Sequence, residues 1–159
     1  DSHLGLSRMC FYVHRNNPWV YDGIASLGRI RLGIIDGYFY DEGQVDQYIA
    51  RHRSNPSRIE GVSGTRGLIQ NLDKMLLGRI TGIIDDQQVV NYTIHSHQLP
   101  AEFKPAGCLE SIKVQVGFSP AKKESDIYAE KISEAVTELR SSGKLDALLK
   151  RYGIADWKQ

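Results

Sequence analysis

Leu68, Ile69, Leu72, Met75 and Leu76 recur at spacings of three and four, so residues 65–77 carry one apolar stripe of a helix. Thr65 stands where a side-chain oxygen caps the start of such a helix, and Gly78 where a left-handed turn ends it. Ile80, Ile83 and Ile84 then predict a short buried strand that stops abruptly at two carboxylates, Asp85 and Asp86. An acid closing a buried strand lies at the strand's carboxyl end, where open α/β sheets bind ligands.

The rest of the chain punctuates in the same way. Ser7-Arg-Met-Cys-Phe-Tyr-Val-His14 is aromatic and β-branched and predicts a strand, broken by Arg15-Asn-Asn-Pro18. Residues 19–27 read as an irregular apolar connector, and Leu32, Ile34 and Ile35 as a buried parallel strand. Asp36-Gly37 turns the chain, Tyr38-Phe-Tyr40 follows, and a helix begins near Asp41 with Val45, Tyr48 and Ile49 inward. A basic loop over 51–58 precedes a strand at 58–62, and 87–95 predicts a short helix. Pro100 and Gly107 bound a loop. Ile112, Val114, Val116 and Phe118 alternate as a strand that Pro120 ends. A helix from about Ser125 turns Ile127, Tyr128, Ile132, Ala135, Val136 and Leu139 inward, and after Gly143 a shorter one carries Leu145, Leu148, Leu149 and Tyr152. Alternating strands and helices make the class α/β, a mostly parallel sheet flanked by helices.

Composition adds exclusions. A net charge of +1, with 25% charged and 41% hydrophobic residues, gives no drive toward nucleic acid. No apolar run approaches the roughly 20 residues that cross a bilayer, and Asp1-Ser-His-Leu-Gly5 lacks the pattern of a secretory signal. Cys10 and Cys108 either form one bridge or lie as two small buried thiols, the simpler reading.

Few motifs carry chemistry. Gly61-Val-Ser-Gly-Thr65 approaches the nucleophile elbow around Ser63, but threonine replaces its closing glycine. Gly61, Gly64 and Gly67 depart from the dinucleotide fingerprint, and no phosphate-loop lysine follows. His95 and His97 have no standard zinc spacing, so neither a metal nor a cofactor is expected. Asp86 reads equally as a carboxylate receiving a cationic ligand group or as the cap of the next helix, and Asp85 as its companion.

Three passages together resemble family 3 extracellular solute-binding proteins. They are Trp19-Val-Tyr-Asp-Gly-Ile-Ala-Ser-Leu27 with Arg29-Ile-Arg-Leu-Gly-Ile-Ile-Asp-Gly-Tyr-Phe-Tyr40, then Asn71-Leu-Asp-Lys-Met-Leu-Leu-Gly-Arg-Ile80 with Ile83-Ile-Asp-Asp86. The last is Val116-Gly-Phe-Ser-Pro120 with Leu139-Arg-Ser-Ser-Gly-Lys-Leu145 and Leu148-Leu-Lys-Arg-Tyr-Gly153. The resemblance runs over roughly residues 9–157 and implies the type II periplasmic-binding-protein fold, two α/β lobes closing on a solute. It implies that Met9–His14 is the first strand crossing between lobes, within a region 1–17. Residues 18–111 would be the second lobe, and 112–159 the return strand and helices that pack on the first. Most of that first lobe, with the arginine that grips an α-carboxylate, has no counterpart here, which implies a fragment or a truncated form. The uncovered helices then imply a domain-swapped or simple homodimer.

By the same resemblance Asp86 accepts a ligand amine, and Gly37-Tyr38 stands where the family has a glycine and a small hydroxyl residue. Tyr40 and Asp85 complete the candidate site, and Thr81 replaces a usual aspartate. The expected function is binding of a small polar solute, amino-acid-like or a small organic acid, without catalysis, in a periplasmic ABC-transporter receptor. A membrane permease or a fused signalling domain would be its partner. The alternatives are the ligand-sensing domain of a membrane receptor and a small α/β hydrolase using Asp85 or Asp86 as an acid-base group or Ser63 as nucleophile.

Overall fold

The computed structural model describes residues 3–157. They divide into two bodies, Arg8–Glu110 and the remainder, residues 3–7 with those from Ser111 onward.

The larger body is a five-stranded sheet. Its strands are β2 (Met9–His14), β3 (Leu32–Ile35), β4 (Ile59–Val62), β5 (Gly82–Asp86) and β6 (Phe103–Cys108), in the order β4-β3-β5-β2-β6. β3 is parallel to β4 and to β5, whereas β2 runs antiparallel to both its neighbours. All strands but β2 therefore point the same way. Alternation along each strand builds two cores. Phe11, Val13, Leu32, Ile34 and Ile84 meet a 3-10 turn at Ile24–Arg29 and helix α1 (Gln44–His52), which contributes Val45, Tyr48 and Ile49. Cys10, Tyr12, Ile35 and Ile83 meet α2 (Gly67–Leu76) and α3 (Gln87–Ser96) through Leu68, Leu72, Met75 and Val90. The helices thus cover both faces, as parallel strands buried on two sides require.

Some predicted details change. Leu68, Leu72 and Met75 of the α2 stripe are buried, whereas Ile69 is half-buried and Leu76, predicted to face inward, is exposed; Gly78 turns left-handed at φ 67°. Thr65 does not cap it; Arg66 holds the cap position and makes no side-chain bond there. Met9–His14 forms the expected strand and lies inside this sheet between β5 and β6, where its residues buried on both faces are covered on both sides. The predicted loop over 99–107 contains β6 instead. Its Pro105 is tolerated because β6 is an edge strand whose pairing shifts register between Phe11 and Tyr12. Cys10 and Cys108 face each other across β2 and β6 and form a disulfide, so the reading as two thiols is corrected.

In the smaller body β1 (Gly5–Ser7) pairs antiparallel with β7 (Ile112–Val114). The predicted strand over 112–118 stops at Val114. Helices α4 (Ser125–Ser141) and α5 (Lys144–Lys150) bury Ser125, Val136 and Leu145. Ile127, Tyr128, Leu139, Leu148 and Tyr152, predicted to face inward, are exposed. A two-stranded ribbon and two helices supply too little surface to enclose them.

Candidate functional site

After β3 the chain passes through α1 to β4 on one side, then returns through α2 to β5 on the other side of β3. The carboxyl ends of β3 and β5 are therefore the topological switch point, where connections leave in opposite directions and open a crevice. β3 and β5 pair only at Leu32–Gly82 and Gly33–Ile83, and beyond that they part. Gly37, Tyr38, Tyr40, Asp85 and Asp86 all sit in the segments that emerge there.

Tyr40 is the wedge in this gap. It is 6% exposed, and its hydroxyl accepts the Ile35 N–H at 2.8 Å, a group that a ladder partner would otherwise take. Burial raises its phenol well above the usual range, and the Asp85 and Asp46 carboxylates add to the shift. Tyr40 was a candidate ligand group; in the fold it anchors the end of β3. Tyr40→Phe leaves the Ile35 N–H buried and unpaired, an expected loss of about 1–3 kcal/mol in urea-unfolding free energy. An unchanged midpoint would mean that the hydroxyl is not holding the strand end.

Gly37 has φ 83°, a conformation other residues rarely adopt, and the Tyr38 N–H closes the turn on the Ile35 carbonyl at 3.2 Å. Tyr38 is 56% exposed, its ring centroid 6.5 Å from that of Tyr40. The backbone behind it is occupied by the chain's own acids. The Asp46 carboxylate accepts the N–H groups of Tyr40, Asp41 and Glu42, the last at 2.8 Å. The Asp41 carboxylate accepts those of Gly43, Val45 and Asp46, the first at 2.8 Å. These two aspartates were not singled out in the sequence, although an aspartate just ahead of a helix is an ordinary capping signal.

Asp86 is the N-cap of α3. Its Oδ1 accepts the N–H groups of Gln88 at 2.8 Å and Val89 at 3.3 Å, and its Oδ2 accepts that of Arg8 at 3.1 Å. The capping reading of Asp86 holds, and three amides set the orientation of its carboxylate.

Asp85 is 5% exposed and lies beside Cys10 in the ladder. The Asp86 N–H donates to its Oδ1 at 2.8 Å. Among the described residues no cation pairs with it. Burial pushes its acid up from 3.8 to about 6, and the neighbouring Asp86 charge adds to the shift against that one hydrogen bond. Burial likewise raises the Tyr12 phenol to about 12, with the Asp86 and Asp85 charges contributing. Among the described residues this edge thus carries a buried carboxylate without a paired cation.

At the adjoining end of β4 the Ser63 hydroxyl donates to Asp36 Oδ2 at 2.9 Å, and Arg53 pairs with Asp36 Oδ1. Among the described residues no histidine joins this group, and the Asp36 carboxylate that accepts the Ser63 proton is itself held by Arg53. Away from the sheet's carboxyl edge, Asn91, Ile94, His95, Gln98 and Leu99 line an open depression along α3, which contains none of the perturbed groups.

No protein-family model and no curated protein matches the sequence. Solved structures do match its fold. The P235GK mutant of ArgBP from T. maritima superposes with TM-score 0.63 at 15% identity, over 96% of this chain and 60% of that one. The probable amino-acid ABC transporter extracellular-binding protein ytmK from Bacillus subtilis gives 0.62 at 16%, over 96% and 62%. The amino acid ABC transporter substrate-binding protein AbpA from Streptococcus pneumoniae, bound to L-arginine, gives 0.61 at 15%, over 96% and 59%. The fold is that of type II periplasmic-binding proteins, and the chain spans about 60% of the length of these neighbours.

Proposed function

We infer that the chain, built on the fold of amino-acid substrate-binding proteins, binds a small polar solute and performs no chemistry on it. The observation that carries this reading is the switch point between β3 and β5, where a glycine turn, an exposed tyrosine and two acids meet. Asp86 has a fixed orientation at a helix start and Asp85 supplies buried negative charge, so this edge suits a ligand's cationic group. Binding energy would act by favouring a closed over an open arrangement, by no more than the ligand's differential affinity for the two.

An ABC transporter's membrane permease is the partner this reading implies, and the periplasm or cell exterior its setting. The Cys10–Cys108 bridge supports an oxidising compartment. No helix among the described residues is long and apolar enough to cross a membrane.

The test is a thermal-unfolding panel of amino acids, amines and small organic acids. A ligand at about a hundredfold excess over its Kd should raise the midpoint by about 5 °C or more. If no compound in the panel moves the midpoint, the solute-binding reading fails.

A further inference from the structure

We propose that this edge of the sheet selects a cationic group without an accompanying carboxylate, so that its ligand is an amine or guanidine and not an amino acid. The inference rests on the solute-binding reading and narrows its ligand class.

A helix start at a switch point is the natural seat for a ligand's carboxylate, because its free N–H groups face the crevice. Here that seat is filled from within. Asp46 takes the amides of Tyr40, Asp41 and Glu42, and Asp41 takes those of Gly43, Val45 and Asp46. A ligand carboxylate arriving at the start of α1 would meet two fixed carboxylates in place of donors. The start of α3 is closed in the same manner, since Asp86 occupies the amides of Gln88 and Val89.

Cation binding is favoured by a separate feature. Asp85 is more than nine-tenths buried, its one hydrogen bond comes from the next residue in the chain, and among the described residues it has no positive partner. A buried carboxylate is ordinarily paired or neutralised. Asp85, at the carboxyl end of β5, is the place where an ammonium or guanidinium group would restore the balance. Among the described residues Arg53 pairs with Asp36, and Arg8 donates through Nε to the Leu109 carbonyl.

The test compares agmatine with arginine and cadaverine with lysine, pairs that differ only in the carboxylate. Each is titrated into the 159-residue chain while the backbone amide signals of Tyr38, Asp86 and Gln87 are followed by NMR. Agmatine and cadaverine should move these signals and saturate, binding about tenfold or more tighter than their amino-acid counterparts. Arginine or lysine binding as tightly as its decarboxylated partner would overturn this inference and leave solute binding intact. If none of the four ligands moves the signals, the inference also fails, whereas solute binding falls only if the whole panel is silent. Asp85→Asn should abolish the agmatine response while the spectrum keeps its native dispersion, and unchanged affinity in this variant would overturn the assignment. Asp46→Asn should bring the agmatine-to-arginine ratio closer to one, because it removes negative charge from the seat that repels the carboxylate.

Discussion

Reducing the Cys10–Cys108 bridge is expected to lower the unfolding free energy by about 3–5 kcal/mol, the largest effect of any single change considered. The bond closes a loop with a sequence separation of 98. The loss of denatured-chain entropy for a loop that long is worth about 4–5 kcal/mol on the chain-entropy account, with measured values commonly nearer 2–4. The bridge also ties edge strand β6 to β2 through Cys10, the register partner of Asp85. The cleanest measurement compares urea unfolding of the oxidised and reduced wild-type chain, since both have the same side chains apart from the bond. Coincident midpoints would show that the bridge contributes nothing to stability. The double variant Cys10→Ala, Cys108→Ala should match the reduced chain, and it guards against reoxidation during the experiment.

Asp85→Asn is expected to stabilise the protein at neutral pH by about 2–3 kcal/mol. The folded state raises this acid from 3.8 to about 6, so the native chain holds a proton more tightly than the unfolded chain does. Stability therefore falls as pH rises through that window, and above it the full penalty of a buried charge is present; two pKa units correspond to about 3 kcal/mol. Asparagine keeps an oxygen for the Asp86 N–H and removes the charge. The advantage of the variant should shrink as pH falls and vanish below about 3, where the wild-type acid is neutral in both states. Urea unfolding of both proteins at pH 4, 5.5 and 7 tests this directly. A variant less stable than wild type at pH 7 would mean that Asp85 has a compensating partner. Combined with a lost agmatine response, the gain would make Asp85 a residue kept for binding at the expense of stability.

How far the candidate site could be read in advance differs from residue to residue. Asp85 and Asp86 stood out because a run of isoleucines ends in two acids, a local signal. The φ of Gly37 follows from a turn between a buried strand and an aromatic cluster, also local. The wedge role of Tyr40 was not readable, since it depends on a gap between β3 and β5, strands far apart in sequence. Nor was the occupation of the α1 amides, although Asp41 and Asp46 were in plain view; a capping residue and a free helix start look alike until the side chains are placed.

By itself the sequence determined the α/β class, the helices whose apolar residues recur every three or four positions, the left-handed stop at Gly78 and the acids ending β5. These depend on periodicity and on the conformational limits of single residues, which short stretches carry whole. Tertiary structure alone decided that Met9–His14 lies inside the sheet, that a proline-bearing segment forms its edge, and that Cys10 meets Cys108. It also decided that the amides at the start of α1 are already taken by Asp41 and Asp46. Each of these is a pairing between distant groups or a competition for one hydrogen bond, and which partner wins is set by where the rest of the chain lies.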